Sequence, residues 1–528
     1  MDEMLKHGGK EQIWEKYCGH LDLSLEEFMQ IQERLLLEQL ELLQGSEIGK
    51  KLFGNRAPKT IDEFRSVVPL TNYDFYAPYL SAQKEDSLPK AEYIWCHTSG
   101  KGGQNRYKWV PYTKRMYTKL GEVVVGAMIL ASCKYKGDVA IEPGDVVMLT
   151  TAPRPYMSGF VSLATQDEVS VRFVPPIEAA EKMSFGERVS KGFEMAQTEG
   201  LDYFFGIASI LAKIGERFEQ GGSKVKFSFG MLNPKFLFRM GRGFLKAKMN
   251  RRGLLPHDIW NVKGVMTGGM DTDIYRDRIV HYWGKNPLEG YACTEGGMFG
   301  TQAWNYKGLT LFPDCDFYEF IPMEEHEKNK KNPKYQPKTV LMNELQPGIY
   351  ELVFTNLLGG VITRYRVGDL LQVVSLKDEE IGVNIPQFRF YSRADDLIDL
   401  GSMARFTEKS IWEAVEKSGI PYVDWVARKE EVKGEPVLHL YIEFKNGTNL
   451  AIDKVTAKIK SCLQKECPDF KEMEKMFGND RLLISQFPAN TFDIFTANQV
   501  KAGADLAHMK PPRMQPKEDI LARLLESK

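Results

Sequence analysis

The chain has 528 residues, of which 43% are hydrophobic and 27% are charged, a composition typical of a globular protein with a large core. Domains commonly contain ~100–200 residues, so a chain of this length has room for about two to four of them. Lysine and arginine total 70, aspartate and glutamate total 71, and the formal net charge is −1. This balance excludes a uniformly basic nucleic-acid-binding protein and an acidic disordered chain, so we expect no nucleic-acid partner.

The cysteine pattern favours a reducing compartment. The 7 cysteines include no Cys-x-x-Cys pair, which argues against a disulfide framework and against a thiolate zinc site. The first residues lack the basic and apolar segments of a signal peptide. The longest apolar run, residues 123–133, is shorter than the ~20 residues of a membrane span and is expected to form a buried helix. We therefore expect a cytoplasmic protein that does not insert into a membrane.

Helix and strand patterns alternate along the chain. Residues 25–43 are expected to form a helix, because Ser24 and Glu27 have the spacing of a capping box. A short mixed strand is expected at residues 91–96, and further strands are expected at residues 146–150, 263–267 and 288–292. Residues 350–355 and 361–366 alternate apolar and polar side chains, as the two strands of a hairpin do. The interleaving of the two patterns predicts an α/β fold.

Two stretches are rich in charge. Residues 324–338 are expected to form an exposed loop. Residues 235–252 are strongly basic and contain Lys235, Arg239, Arg242, Lys246, Lys248, Arg251 and Arg252. This basic stretch is either a solvated helix face or a site for a phosphate-bearing partner.

A change in composition follows Arg393, and we place a domain boundary there. Residues 1–392 are expected to form a large N-terminal domain and residues 393–528 a small C-terminal domain. The smaller part contains a predicted helix at residues 410–417 and a predicted strand at residues 439–444.

The segment Thr98-Ser-Gly-Lys-Gly-Gly follows the first predicted strand. Hydroxyl groups and glycines in such a turn allow several backbone N–H groups to face one point, which is how phosphates are held. Arg106 and Lys108 could add positive charge. The segment lacks the Gly-Lys-Ser/Thr of a Walker A loop, and a plain surface turn is the alternative interpretation.

The segment Tyr291-Ala-Cys-Thr-Glu-Gly places polar side chains at the end of a predicted strand, where α/β sheets bind ligands. Glu295 could hold Mg²⁺, which prefers oxygen ligands and often shares them with phosphates. Thr294 could bond a phosphate oxygen, and Tyr291 offers an aromatic face for a base. The alternative is a strand end followed by a capping glutamate.

Three later motifs carry further candidate groups. Asp369, just after a predicted strand, could accept hydrogen bonds from two ribose hydroxyls, or it could cap a turn. Arg393 could contact ribose or phosphate, with Asp395 where the domains join, or both could form a surface ion-pair cluster. Lys510 precedes two prolines on a stiff segment and could reach a phosphate, although a lysine near a chain end is usually solvated.

In order and spacing, these segments resemble the adenylate-forming ligase superfamily. Several individual segments are similar in sequence to those of the auxin-responsive Gretchen Hagen acyl-acid amido synthetases of plants. The segments that carry the closer resemblance are Val68-Pro-Leu-Thr-Asn-Tyr-Asp, Tyr350-Glu-Leu-Val-Phe-Thr-Asn, Tyr365-Arg-Val-Gly-Asp, Pro386-Gln-Phe-Arg-Phe, Gly503-Ala-Asp and Lys510-Pro-Pro-Arg. The resemblance implies a large N-terminal domain of stacked β-sheets and helices that binds ATP and an acyl acid, with a small, mobile α+β C-terminal domain.

Several residues match the family's nucleotide contacts position by position. Thr98, Ser99 and Gly100 match the start of its phosphate loop, and Gly268 and Gly269 match the backbone beside adenine.

The second half of the nucleotide site is implied by the same resemblance. Tyr291 matches the aromatic residue beside adenine, and Thr294 matches the residue that touches the α-phosphate. Glu295 matches the Mg²⁺ ligand, and Asp369 matches the ribose carboxylate.

Mobility of the small domain is implied as well. Arg393 matches the arginine that opens the hinge, and Asp395 matches the hinge position. Lys510 matches the lysine of the mobile domain that assists adenylation.

The implied reaction has two halves: a carboxylic acid and ATP give acyl-AMP and pyrophosphate, and an amino acid or other amine then takes the acyl group as an amide. Two alternatives remain. The acceptor could instead be CoA or a carrier thiol, with residues 235–252 meeting its phosphates. The chain could also be a non-catalytic nucleotide- or acid-binding homologue, because Lys101 and Gly102 stand where the family has two hydroxyl residues.

Overall fold

The computed structural model describes residues 1–99, 107–206, 208–219, 234–268, 272–400, 404–432, 435–448, 450–477, 480–501 and 512–526. These residues form two compact units. The larger comprises Met1–Val367 and Leu371–Phe390, and the smaller comprises Gly368–Leu370 and Tyr391–Lys528.

The helices of the larger unit lie between and beside its strands. They are α1 (Asp2–Lys6), α2 (Lys10–Cys18), α3 (Leu25–Leu43), α4 (Glu47–Phe53), α5 (Ile61–Val67), α6 (Tyr73–Leu80), α7 (Lys114–Ser132), α8 (Met157–Glu168), α9 (Ile177–Ala180), α10 (Phe185–Glu199), α11 (Ala208–Glu219), α12 (Pro234–Met249), α13 (Pro256–Ile259), α14 (Thr272–Trp283) and α15 (Met323–Lys331). The smaller unit contains α16 (Glu408–Lys417), α17 (Ile452–Glu466), α18 (Pro468–Phe477), α19 (Thr491–Lys501) and α20 (Glu518–Leu525).

The first thirteen strands lie between Tyr93 and Arg393. They are β1 (Tyr93–Ser99), β2 (Tyr107–Thr113), β3 (Val146–Leu149), β4 (Arg172–Val174), β5 (Tyr203–Gly206), β6 (Gly264–Gly268), β7 (Pro287–Cys293), β8 (Gly297–Gln302), β9 (Leu309–Leu311), β10 (Asp316–Pro322), β11 (Gly348–Asn356), β12 (Tyr365–Ser375) and β13 (Gln387–Arg393). The smaller unit adds β14 (Ile398–Leu400), β15 (Ala404–Phe406), β16 (Tyr422–Val432), β17 (Glu435–Phe444) and β18 (Leu482–Gln486).

An 11-stranded sheet has the order β10-β11-β12-β13-β9-β8-β7-β6-β5-β3-β4. Strands β4, β3, β5, β6 and β7 run parallel, with helices between consecutive strands, whereas β7, β8, β9 and β13 pair antiparallel. Strands β1 and β2 form a separate antiparallel ribbon. The parallel strands end at one edge of the sheet, which is the edge that carries ligand sites in α/β proteins. The α/β class expected from the sequence is therefore confirmed.

Successive side chains of the parallel strands belong to two different buried hydrophobic clusters. Val147 and Met266 belong to one buried cluster, while their neighbours Met148 and Val265 belong to another. Successive side chains of a strand point to opposite faces, so both faces of this part of the sheet are buried. The strands are consequently apolar throughout, which is why they were recognisable in the sequence.

The expected helix at residues 25–43 is confirmed as α3. The Ser24 side chain accepts a hydrogen bond from the backbone of Glu27, and the Glu27 carboxylate accepts one from the backbone of Ser24. A cap of this kind stabilises a helix by about 1 kcal/mol. The apolar run at residues 123–133 also lies largely in a buried helix, α7.

Residues 324–338 were expected to form an exposed loop, and this prediction is wrong for the first half. Met323–Lys331 forms helix α15, with Glu324 and Glu325 in its first turn and Lys328, Lys330 and Lys331 in its last. Charges placed in this order complement the helix dipole, and Glu325 also pairs with Lys328 at 2.7 Å. The helix therefore forms in a segment with few apolar side chains.

The second strand of the expected hairpin, residues 361–366, is also misplaced. The strand begins only at Tyr365 and continues to Ser375. Leu358, Gly359 and Arg364 have positive φ angles of 58°, 89° and 44°, which interrupts the extended backbone before it.

The smaller unit has a three-stranded sheet with β17 in the centre, antiparallel to β16 and parallel to β18. The helix expected at residues 410–417 and the strand expected at 439–444 lie within α16 and β17. Arg513, at the end of the Lys510-Pro-Pro-Arg segment, donates to Asp424 at 2.7 Å and lies over the Trp412 ring, 3.5 Å from its centroid. The C-terminal end of that segment is thereby anchored to this unit.

Across the described residues of the whole chain, no helix is long and apolar enough to cross a membrane.

Candidate active site

Glu295 stands directly beyond the end of β7, at the carboxyl edge of the parallel strands. It is buried, and its Oε1 atom lies 3.3 Å from Lys108 Nζ. The Tyr365 hydroxyl donates to the same oxygen at 3.1 Å. Among the described residues, none forms a hydrogen bond to Oε2. One carboxylate oxygen is thus held by the protein while the other remains available to a ligand.

Lys108 connects Glu295 to the glycine-rich segment. Thr98 lies opposite Lys108 in the β1–β2 ribbon, and both Thr98 and Ser99 belong to strand β1 rather than to the expected turn. Gly100 lies outside the described residues. The ribbon therefore brings the expected phosphate loop and the expected magnesium ligand into one neighbourhood.

Tyr73 fixes the strand that carries Lys108. Its hydroxyl accepts a hydrogen bond from the Trp109 backbone N–H at 2.7 Å and donates to the Trp109 carbonyl at 3.0 Å. Lys108 Nζ lies 5.3 Å from the centroid of the Tyr73 ring, within range of a cation–π contact. Burial raises the pKa of Tyr73 to about 12, so its hydroxyl remains a donor at neutral pH.

Tyr365 is likewise a neutral donor. Burial is the main cause that raises the pKa of its hydroxyl far above the usual value, and the adjacent charge of Glu295 raises it further. The proton stays on the Tyr365 oxygen, which therefore donates to Glu295 Oε1.

The backbone around Glu295 is clamped on both sides. The Tyr112 hydroxyl donates to the Thr294 carbonyl at 2.8 Å, and Asn356 Nδ2 donates to the Glu295 carbonyl at 3.0 Å. A Cβ atom at Gly296 would lie 2.3 Å from the Phe299 ring, and Gly297 has φ +77°. The turn after β7 therefore requires both glycines, and it holds the Glu295 side chain in place.

The other residues expected near the nucleotide base and phosphates lie on neighbouring strands. Gly268 ends β6 and is exposed, and it pairs with Gly290, the residue before Tyr291. Tyr291 itself is buried against Phe299, with ring centroids 5.0 Å apart. The Thr294 side chain is half-buried, and its hydroxyl makes no hydrogen bond to any described residue. Gly269 lies outside the described residues.

Asp369 and Arg393 meet in the smaller unit. Arg393 Nη1 lies 3.4 Å from Asp369 Oδ1, and the Asp369 side chain is only 8% exposed. Asp369 lies within β12 rather than after a strand, because the strand extends from Tyr365 to Ser375. The Asp395 side chain and Lys510 lie outside what the structure describes.

Four residues near Glu295 were not identified as site residues from the sequence: Tyr73, Tyr112, Asn356 and Tyr365. Three of them stand in quoted motifs, since Tyr73 lies in Val68-Pro-Leu-Thr-Asn-Tyr-Asp, Asn356 ends Tyr350-Glu-Leu-Val-Phe-Thr-Asn, and Tyr365 begins Tyr365-Arg-Val-Gly-Asp. Their positions in those motifs were the available signal.

The donor set around Glu295 fits magnesium. In the described ranges, no group of three or more His, Cys, Asp or Glu side chains could hold a metal by itself. Mg²⁺ commonly uses one or two protein carboxylates and takes its other ligands from phosphates and water. The Oε2 oxygen of Glu295, to which no described residue is hydrogen-bonded, suits that arrangement.

A second carboxyl lies behind the site. Asp316 is completely buried, and its Oδ1 accepts a hydrogen bond at 3.0 Å from the same Asn356 amide that supports Glu295. Its Oδ2 has no hydrogen-bond partner among the described residues. Burial raises the pKa of Asp316 well above the usual range, opposed by the Asn356 hydrogen bond, so burial favours the neutral form of this acid.

We expect Asp316→Asn to raise the melting temperature at pH 7 by about 2–4 °C. Because the folded pKa is raised, stability is lost as pH rises above the unfolded value of ~3.9, where the unfolded chain ionises first. Asparagine has the same shape and no such penalty, so the gain should shrink towards zero near pH 4. Calorimetry at pH 4, 5.5 and 7 tests this, with the exposed Asp86→Asn as control. An equal shift at all three pH values would contradict a neutral Asp316.

The fold is that of the adenylate-forming ligases. The structure of AtGH3.15 acyl acid amido synthetase in complex with 2,4-DB aligns with a TM-score of 0.66 and 16% identity over 94% of this chain and 93% of that one. A 2-hydroxyisobutyryl-CoA ligase in its postadenylation state aligns with a TM-score of 0.61 and 13% identity over 96% and 94% of the two chains.

Within that class, two segments of the chain match models of GH3 family domains. Residues 19–148 match the GH3 family N-terminal domain, and residues 309–393 match the GH3 family central domain. A curated relative, 4-substituted benzoates-glutamate ligase GH3.12 of Arabidopsis thaliana, is 26% identical over 282 residues. That match covers 48% of this chain and 45% of the relative's length. The resemblance inferred from the sequence is thereby confirmed.

Proposed function

We propose that this chain is an ATP-dependent acyl-acid amido synthetase. A carboxylate oxygen of the acid attacks the α-phosphorus of ATP, the bond to the bridging oxygen breaks, and pyrophosphate leaves. The nitrogen of an amino acid then attacks the acyl carbon, loses a proton, and expels AMP. The observation that carries the proposal is the Lys108–Glu295–Tyr365 cluster at the carboxyl edge of the sheet, in a chain with GH3 family domains.

We assign Glu295 to magnesium, which would offset the negative charge of the phosphates. Lys108 and the Tyr365 hydroxyl both contact Oε1 and hold the carboxylate in position. The Thr294 hydroxyl contacts the α-phosphate in this proposal.

The remaining nucleotide contacts follow the residue matches. Thr98, Ser99 and Gly100 hold the phosphates, while Gly268, Gly269 and Tyr291 surround adenine. Asp369 holds the ribose hydroxyls, supported by the 3.4 Å contact of its Oδ1 with Arg393.

Residues 1–392 and 393–528 are the proposed nucleotide domain and mobile domain. Rotation at Asp395 would bring Lys510 to the phosphates for adenylation and remove it for amide formation.

The free thiols of the seven cysteines support a cytoplasmic location.

We expect Asp369→Ala to weaken ATP binding by about 10- to 100-fold, because hydrogen bonds to a charged group contribute roughly 1.5–3 kcal/mol. Titration calorimetry with ATP and Mg²⁺ measures the change. Asp453→Ala, an exposed substitution in the same unit, serves as the control. Unchanged affinity in Asp369→Ala would overturn the ribose assignment.

The proposed function is tested by ATP–pyrophosphate exchange across aryl, indolyl and fatty acids. Mass spectrometry of reactions containing mixed amino acids and CoA then identifies the products. We expect exchange with at least one acid and an amide as the product. A thioester would favour a CoA ligase instead. Nucleotide binding without exchange across the whole panel would favour a non-catalytic homologue, for which Lys101 and Gly102 are the motivation.

A further inference from the structure

Helix α12 exposes a row of large apolar side chains. Leu237, Phe238, Phe244, Leu245 and Met249 are 54%, 73%, 58%, 67% and 84% exposed, and we call them the α12 face. Single exposed apolar residues are common on protein surfaces, whereas a contiguous group marks an interaction site. The basic residues of this segment were evident in the sequence, whereas its exposed apolar row is evident only in the fold.

The exposure follows from how the helix is seated. Gly243 and Ala247 are buried on the opposite side, where a Cβ atom at Gly243 would lie 3.1 Å from Leu254. Arg239 Nη2 donates to the carbonyls of Gln197 and Thr198 at 3.1 and 2.9 Å. One side of the helix therefore packs against the larger unit. The α12 face lies on the other side of the helix and is exposed.

A shallow groove runs along this face. Phe238, Leu245 and Met249 line it, Arg242 borders it, and its volume is about 690 Å³. Gly241 leaves it open, since a Cβ atom there would meet nothing within 4 Å. Residues 238, 241, 245 and 249 recur at the spacing of one helical stripe, so the groove is a continuous apolar strip.

Positive charge borders the strip on both sides. In helical projection, Arg242 and Lys246 follow one margin and Lys248 lies on the other, beside Leu237 and Phe244. Helix α12 contains no aspartate or glutamate. Lys246 lies 3.4 Å from Asp258, which already binds Arg252 at 2.6 Å. Arg242 and Lys248 form no ion pair with any described residue, so the margins are cationic.

We propose that the α12 face adsorbs to the surface of a phospholipid bilayer that carries anionic head groups. Helices with an apolar strip of Phe and Leu and basic margins lie in the plane of the membrane, with the strip at the head-group boundary. The cytoplasmic leaflet supplies the complementary negative charge. Surface adsorption requires no membrane-spanning helix. A symmetric contact between two copies is disfavoured, because it would set the cations of one α12 against those of the other.

The test is co-sedimentation of the full-length protein with vesicles of phosphatidylcholine, with or without 30% phosphatidylserine. We expect binding to the anionic vesicles at least about tenfold stronger than to the neutral ones, and weaker binding in 0.5 M salt. Equal binding to both compositions, or no binding to either, would overturn the proposal.

Two variants separate the apolar and charged contributions. The variant Phe238→Ser with Leu245→Gln replaces two apolar side chains of the strip by polar ones. The variant Arg242→Gln with Lys248→Gln neutralises one cation on each margin. We expect each variant to weaken anionic-vesicle binding by about 10-fold or more. Leu42→Gln and Lys330→Gln are exposed controls on other helices and should bind like the original protein. Thermal melts establish that each variant is folded.

Two results would redirect the interpretation. Normal vesicle binding by both α12 variants would place the membrane contact elsewhere and overturn the proposal. Concentration-dependent dimerisation in analytical ultracentrifugation, abolished by Phe238→Ser with Leu245→Gln and without vesicle binding, would assign the face to a second copy instead. Neither result bears on adenylation, because no α12 residue belongs to the proposed active site.

Discussion

Glu295→Gln should lower the rate of ATP–pyrophosphate exchange by about 100- to 1,000-fold, the size of effect seen when a preorganised charge-stabilising group is lost. Glutamine has nearly the same shape and can still accept the Tyr365 hydrogen bond. It carries no charge, so it binds a cation weakly and leaves Lys108 without its partner. The 35% exposure of the Lys108 side chain allows water to solvate the ammonium, so we expect the fold to survive.

The measurement is exchange as a function of Mg²⁺ concentration, together with calorimetry of ATP binding. We expect both a lower maximal rate and a higher magnesium requirement. Glu324→Gln, an exposed glutamate of α15 in the same unit, is the matched control. An exchange rate within a factor of about two of that of the unsubstituted protein would contradict the assignment of Glu295 as a magnesium ligand. A bound metal contributes several kcal/mol of charge stabilisation, so its loss should be plainly measurable.

Lys510→Ala should slow adenylation by about 100- to 1,000-fold and leave the turnover of supplied acyl-AMP within about threefold. The lysine would act only while charge builds on the phosphates, so the amide-forming half does not need it. Arg513, three residues further on, contacts Asp424 and Trp412 of the smaller unit, which is the unit that the proposal makes mobile.

Pre-steady-state measurement of both half-reactions checks this prediction. Lys501→Ala, an exposed lysine at the end of α19, controls for loss of positive charge in the same unit. Equal loss in the two halves would contradict a role confined to adenylation.

Much of the fold was predictable because local signals and burial agree. The capping box of α3 and the apolar strands β3, β6 and β7 depend on residues that are adjacent in sequence or separated by one helical turn. The two errors have a common origin. Helix α15 is stabilised by charge placement rather than by apolar periodicity. The backbone before β12 is turned by positive φ angles at Leu358, Gly359 and Arg364, which the alternation of apolar and polar residues does not reveal.

The candidate site was predictable only in part. Glu295 was identified because its carboxylate stands beside the Thr294 hydroxyl at the carboxyl end of a predicted strand. Its contacts come from distant segments: Lys108 is 187 residues away and Tyr365 is 70 residues away. No local pattern encodes that juxtaposition, because it depends on how the β1–β2 ribbon packs and on where β12 begins. The buried acid Asp316 was missed for the same reason, since only the folded chain brings it to Asn356.

In the proposed reaction, the acid is activated when one of its own carboxylate oxygens attacks the α-phosphorus of ATP. The most direct measurement uses a carboxylic acid labelled with ¹⁸O on both oxygens, together with ATP and the amino acid acceptor. We expect AMP that carries one ¹⁸O atom and an amide that retains the other. Unlabelled AMP, or ADP with labelled phosphate, would contradict it.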